Sequence, residues 1–153
     1  MNYRSAVILL LALLSLPMIA QAAGKPEVTF INSDQAKAAG YPFSQAVRVD
    51  HTLYLSGQIG VDPATGKLVD GGITNESRQT MQNIKDLLTT HGHSMADIVK
   101  CTVMLADIKE WPAFNTVYRE FFDGRFPARS AFAGSGLALN ARVEVECIAV
   151  VGD

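Results

Sequence analysis

The sequence is sparing in charge, with 18% Asp, Glu, Lys and Arg over 153 residues, and it has one tryptophan and two cysteines. No serine sits in a G-x-S-x-G elbow and there is no G-x-G-x-x-G or phosphate-binding loop, so a serine-nucleophile site, a dinucleotide site and a nucleotide triphosphatase lack support. No window carries the clustered Lys and Arg, or the basic stripe interleaved with aromatics, that a phosphate-tracking surface needs. Nucleic acid is therefore not expected as a partner. Cys101 and Cys147 are too far apart for a CxxC redox or zinc motif. Internal repeats and low-complexity segments are absent too. What is present, 48% hydrophobic residues with a net charge of −2, fits one ordinary globular domain.

The first 22 residues stand apart. Behind Arg4, Ala6 to Ala20 is apolar except for Ser15 and Pro17, and the small-x-small triplet Ala20-Gln21-Ala22 follows. A charged start, a short apolar run and a small-residue cleavage site are the three parts of a secretion signal. A membrane-spanning anchor needs about 20 apolar residues, so residues 1–22 read as a signal peptide and 23–153 as the mature domain. The mature chain has 131 residues with 12 Lys and Arg against 15 Asp and Glu. It is expected to be periplasmic or secreted, with no stable membrane association after cleavage.

An oxidising compartment changes the meaning of the cysteines. Both fall in expected strands. A cross-strand disulfide forms if those strands are neighbours; the alternative, slightly favoured, is two small buried hydrophobes.

The mature chain reads as alternating strands and helices. A short strand near Thr29 to Ile31 precedes a loop that ends in Gly40-Tyr41-Pro42. Phe43 to Val49 and Thr52 to Ile59 then form a hairpin around Asp50-His51. Asp62 to Lys67 is a turn by composition. Met81, Ile84 and Leu88 recur at helical spacing within Asn75 to His91, with Thr74 as the expected N-cap and Gly92 just past the end. Ile98 to Ala106 is a strand. Trp111, Phe114, Val117, Tyr118, Phe121 and Phe122 mark a second helix, with Pro112 in its first turn and Gly124 at its end. Ala128 to Ala133 and Ala141 to Val151 are the last strands. This order implies an α+β fold in which one mixed sheet carries both helices on one face. The other face then needs a cover, and a closed symmetric oligomer supplies one.

Two stretches suit chemistry. In Val143-Glu144-Val145-Glu146 a period of two puts both carboxylates on one face of an otherwise apolar strand. A carboxylate does not enter a core cheaply, so at least one serves an interface or a site, unless the strand is an edge whose polar face meets solvent. Arg129 opens a strand just after Pro127. A guanidinium fixed there can clamp a small organic acid through two parallel donors, or form a structural ion pair with Glu144 or another acid. His91-Gly92-His93 lacks further ligands nearby, so no metal is expected, and His51 reads as a turn residue.

Ser56-Gly57-Gln58-Ile59, the turn Asp62 to Gly66, Asn115 with Tyr118 and Phe121-Phe122, Phe126-Pro127-Ala128-Arg129-Ser130 and Val143-Glu144-Val145-Glu146 together resemble the RidA (YjgF) reactive-intermediate deaminase family, from about Pro42 to Val151. The resemblance implies a chorismate-mutase-like fold, a homotrimer with sites between subunits, and hydrolysis of 2-imino and 2-enamino acids to 2-oxo acids and ammonia without a cofactor. In that reading Arg129 grips the substrate carboxylate, Glu144 positions and polarises water, and Ser56, Gly57 and Asn115 line the pocket. An imine is already electrophilic, so the protein need mainly fix its carboxylate and place one water.

The chain departs from the family pattern at two pocket positions. Phe43 stands where members often have tyrosine, and Ala131 stands where many have cysteine. Phe43 removes a hydroxyl, which keeps open a binding protein that captures small carboxylates without turnover. A ribonuclease or translation-inhibitor activity, as attributed to some relatives, sits poorly with the acidic mature charge.

Overall fold

Alternating β-branched residues build the strands, and two amphipathic segments build the long helices that cover them. The computed structural model describes residues 24–152, so the expected signal peptide lies outside the described residues. In chain order the elements are β1 (Val28–Ile31), α1 (Asp34–Ala39), β2 (Ala46–Val49), β3 (Thr52–Ile59), β4 (Val61–Asp62), β5 (Lys67–Leu68), α2 (Gly72–Thr90), β6 (Ile98–Leu105), α3 (Trp111–Arg119), β7 (Ala128–Ala133) and β8 (Val143–Val150). Six strands form one sheet in the order β1-β2-β3-β8-β6-β7, and β4 pairs with β5 in a small separate hairpin. Only β6 and β7 run parallel, because α3 carries the chain back across between them; the other pairs are antiparallel. The sheet is therefore mixed, as expected.

The first hairpin closes as the sequence implies. Val49 pairs with Thr52 around Asp50-His51, Asp50 takes a φ of 48°, and its carboxylate accepts the Glu27 N–H at 2.8 Å. Helix α2 buries Met81, Ile84 and Leu88 completely. Its N-cap is Gly71 rather than the expected Thr74. Gly71 and Gly72 adopt φ values of 105° and 68°, a conformation that favours glycine, and the Asn75 amide donates to the Asp70 carbonyl at 2.9 Å. Helix α3 stops at Arg119, earlier than its aromatic periodicity suggests. Phe121 and Phe122 lie in the tight turns that follow, yet still pack on the core.

The loop expected before Gly40 contains a helix, α1. The Ser33 hydroxyl accepts the Ala36 N–H at 3.1 Å and Gly40 ends the helix at a φ of 68°. None of its residues is buried, so it has no apolar periodicity to read.

Helices α2 and α3 pack together, with α2 against β3 and β8. Pairing registers place Cys101, Val103, Leu105, Val143, Val145 and Cys147 on this helix-covered face, all buried. The two cysteines are directly opposed on β6 and β8, with Cα atoms 4.1 Å apart, and form a disulfide. The slightly favoured reading of two separate buried hydrophobes is thereby corrected: they are buried and bonded, because antiparallel register sets them side by side.

The same registers put Phe30, Val47, Tyr54, Ile148 and Val150, with Glu144, Glu146, Lys100 and Phe132, on the opposite face. Among the described residues no helix covers it, and Phe30, Tyr54, Phe132 and Val150 remain about half exposed or more.

Candidate active site

Arg129 lies on edge strand β7, beside Cys101, with its side chain on the helix-covered face. There it meets α3. Its guanidinium carbon lies 4.4 Å from the centroid of the Tyr118 ring, 4.9 Å from that of Trp111 and 5.7 Å from that of Phe114. Such cation–π contacts hold a guanidinium without neutralising it. Nη2 donates to the Asn115 side-chain oxygen at 2.6 Å, while Nη1 is covered and makes no hydrogen bond among the described residues. Burial lowers the Arg129 pKa from its ordinary value, the Tyr118 ring opposes that shift and Arg119 adds to it. The Tyr118 hydroxyl, buried and without a partner among the described residues, is pushed up to about 12.

The alternative of an ion pair with Glu144 is excluded within one chain. Glu144 pairs with Met104 and Ile59 on the open face, two strands from β7. β8 is also a central strand, so Glu144 and Glu146 do not sit at a solvated edge. Glu144 is half-buried, and its pKa is raised by burial first and by Glu146 second. Its carboxylate rests on a β-bulge between Leu55 and Gln58, where a Cβ on Gly57 would come within 2.0 Å of Glu144 Oε1. Ser56 in the same bulge donates to the Ser44 carbonyl at 2.6 Å.

The expected pocket residues thus fall into two groups. Asn115, Arg129 and Ala131 share the helix-covered side of the β7 edge; Gly57 and Glu144 meet over β3 and β8, with Ser56 in the adjoining bulge. Phe43 is exposed and stacked on Tyr41 with centroids 5.3 Å apart, and it directly precedes Ser44, whose carbonyl accepts from the Ser56 hydroxyl. The roles of Trp111, Phe114 and Tyr118 beside Arg129 were not legible, because a helical aromatic stripe reads as core, and Phe114 and Tyr118 are indeed core.

The structure also brings His51, His91 and His93 to one concavity of about 620 Å³, with Arg48 and Asp50. It lies at the β1–β2 end, away from Arg129, and Arg48 is held there by the carbonyls of Asp50 and Gly152. Among the described residues no group of three or more His, Cys, Asp or Glu can hold a metal.

A mixed sheet with two helices on one face, a guanidinium at its edge and a carboxylate over a glycine bulge define the class of small α+β folds to which the resemblance pointed. The endoribonuclease L-PSP family model matches residues 33–151, and the chain belongs to that family, which includes the RidA (YjgF) proteins. It is 48% identical over 122 residues to a protein of Capra hircus named 2-iminobutanoate/2-iminopropanoate deaminase, an overlap of 80% of this chain and 89% of that one. The Homo sapiens protein of the same name is 42% identical over 122 residues, with 80% and 89% covered. Among solved structures, a conserved Rid-family protein from Yersinia pestis is similar at a TM-score of 0.76 and 38% identity, covering 82% of this chain and all of that one. The E. coli protein TdcF with bound serine is similar at a TM-score of 0.69 and 32% identity, covering 73% and 90%.

Proposed function

We propose that this protein hydrolyses 2-imino acids, and their 2-enamino tautomers, to 2-oxo acids and ammonia. The observation that carries the reading is the Arg129 guanidinium: it is fixed by an amide and three rings, and no carboxylate among the described residues pairs with it. A cation held this way is ready for an incoming acid. The names of the relatives and the serine bound to TdcF support a ligand carrying a carboxylate beside a nitrogen.

The chemistry asks little more. Water adds its oxygen to C2 of the imine, a proton moves to nitrogen, and the carbinolamine expels ammonia to leave the 2-oxo acid. Glu144 in its carboxylate form accepts a hydrogen bond from the attacking water and strengthens its nucleophilicity.

Arg129 and Glu144 lie on opposite sheet faces, so one chain does not supply both to one substrate. The working form in this reading is a homotrimer with each cleft at a seam, where Arg129 and Asn115 of one copy meet Gly57 and Glu144 of the next. The exposed apolar residues Phe30, Tyr54 and Val150 on the uncovered face support such association. The reading also places the mature chain in the periplasm or outside the cell. The signal-like first 22 residues support this, as does a disulfide of the kind that persists in oxidising compartments.

The test generates 2-imino acids in situ with an amino-acid oxidase and follows their disappearance. The purified protein is expected to accelerate imine loss and Arg129→Ala to abolish the acceleration; no effect of the wild-type protein refutes the reading. Phe43 offers no hydroxyl to water or substrate, which favours a second reading, capture of small carboxylates without turnover. Calorimetric binding of 2-oxobutyrate together with no imine turnover selects it.

A further inference from the structure

We infer that Trp111 is the specificity-determining residue of this site, the wall along which the substrate side chain lies, so that imines with bulky apolar side chains are preferred over the smallest ones. The inference rests on the imine-deaminase reading and deepens it. Three rings surround the Arg129 guanidinium, but Phe114 and Tyr118 are buried, at 0% and 3% exposure. Trp111 is the one of the three that keeps accessible surface. An acid gripping Arg129 therefore meets the indole and neither of the other rings.

The geometry of a 2-imino acid does the rest. Its side chain begins on C2, one bond from the carboxylate carbon, so whatever flanks the clamp flanks the first atoms of that side chain. Around Arg129, beyond the Asn115 amide that holds it, those flanks are apolar. Phe126, half exposed, stacks near Tyr118 at 6.5 Å, and Ala131, two residues along β7 on the same face, presents only a methyl. A ring wall beside a small residue leaves apolar room for a large substituent, whereas a methyl-bearing substrate buries little against it.

Trp111 is also fixed in place. It is the first residue of α3, Pro112 follows it, and Glu110 before it accepts from Arg142 Nε at 2.7 Å. The indole itself packs against the core, so the wall is pre-formed and a side chain lying on it costs little ordering of the protein.

The experiment compares kcat/KM for imines made in situ from alanine, leucine and phenylalanine. The wild-type protein is expected to favour the leucine- and phenylalanine-derived imines by about tenfold or more, the scale on which a hydrophobic pocket distinguishes a few methylenes. Trp111→Ala is expected to bring that ratio towards one, and Trp111→Phe to retain most of it. Trp111 is the single tryptophan, so its fluorescence gives a second readout that needs no variant. 4-Methyl-2-oxopentanoate should change the emission at lower concentration than pyruvate. Equal turnover of all three imines by the wild type, or a Trp111→Ala protein slowed equally on each with its ratio intact, overturns the inference while leaving the deaminase reading in place. If no imine is turned over at all, both fall.

Discussion

Gly57 and Glu144 are in contact across β3 and β8, so close that a methyl on Gly57 would sit 2.0 Å from the carboxylate oxygen of Glu144. The contact explains why a glycine stands in the bulge: the carboxylate lies where a side chain would be. Gly57→Ala must push Glu144 aside, since real Cβ atoms do not approach an oxygen so closely. We expect imine turnover to fall at least about a hundredfold, as misplacement of a catalytic group by about an ångström does, with circular dichroism unchanged. Wild-type turnover in the alanine variant would show that the position of Glu144 is immaterial.

Glu144 carries a sign that can be checked by pH. Burial, and then the neighbouring Glu146, hold its pKa above the ordinary carboxylate value. In the proposed reaction the carboxylate form polarises water, so activity should be lost, as pH falls, sooner than an exposed glutamate would dictate. Glu146→Gln removes the like charge and should move this acid limb to lower pH, but only in part, because burial is the larger cause. The stability effect runs the other way. An acid whose pKa is raised on folding costs stability as pH rises through that raised value, so Glu144→Gln should be inactive yet no less stable at neutral pH. A pH profile of kcat and thermal unfolding of both variants check the pair of signs.

Asn115 is expected to line the pocket, and its side-chain oxygen accepts from Arg129 Nη2 at 2.6 Å. It is a positioning residue for the clamp. Hydrogen bonds to charged groups contribute about 1.5–3 kcal/mol, so Asn115→Ala should weaken binding of 2-oxobutyrate roughly ten- to a hundredfold, with KM rising more than kcat falls. Asn115→Asp should weaken it further, since a carboxylate there would compete with the substrate for the guanidinium. Calorimetric titration of each variant decides; unchanged affinity in both would mean that the rings alone fix Arg129.

Much of the fold was written in short-range patterns. Val49, Asp50, His51 and Thr52 specify the hairpin, and Met81, Ile84 and Leu88 specify the buried stripe of α2. The six residues of α1 carry no such stripe and rely on the Ser33 and Gly40 caps alone. The helix start at Gly71 depends on positive φ values, which no side-chain pattern announces. For the site, residue types at family spacing were enough to nominate Arg129 and Glu144. That they face opposite sides follows from register: Arg129 lies beside Cys101 and Glu144 opposite Met104. A single strand's period of two does not fix the phase of one strand relative to another, so this separation appears only once pairing is known.

The pairing that sets Arg129 beside Cys101 also sets Cys101 opposite Cys147, so the disulfide links the strand next to the clamp with the strand of Glu144. It closes a loop across a sequence separation of 46 that includes α3 and β7. In the chain-entropy account such a loop restricts the unfolded chain by about 4 kcal/mol. Replacing both cysteines by alanine should therefore lower unfolding free energy by roughly 3–4 kcal/mol, while a folded sample keeps its substrate ratio because both sulfurs are buried and offer no surface to a ligand. Both cysteines are buried, so reductant should act on the unfolded protein and leave the native one bonded. Thiol titration before and after denaturation, combined with urea unfolding of the wild type and the double variant, provides the check. Titratable thiols in the native protein, or a double variant as stable as the wild type, would remove the bond from the account of this fold.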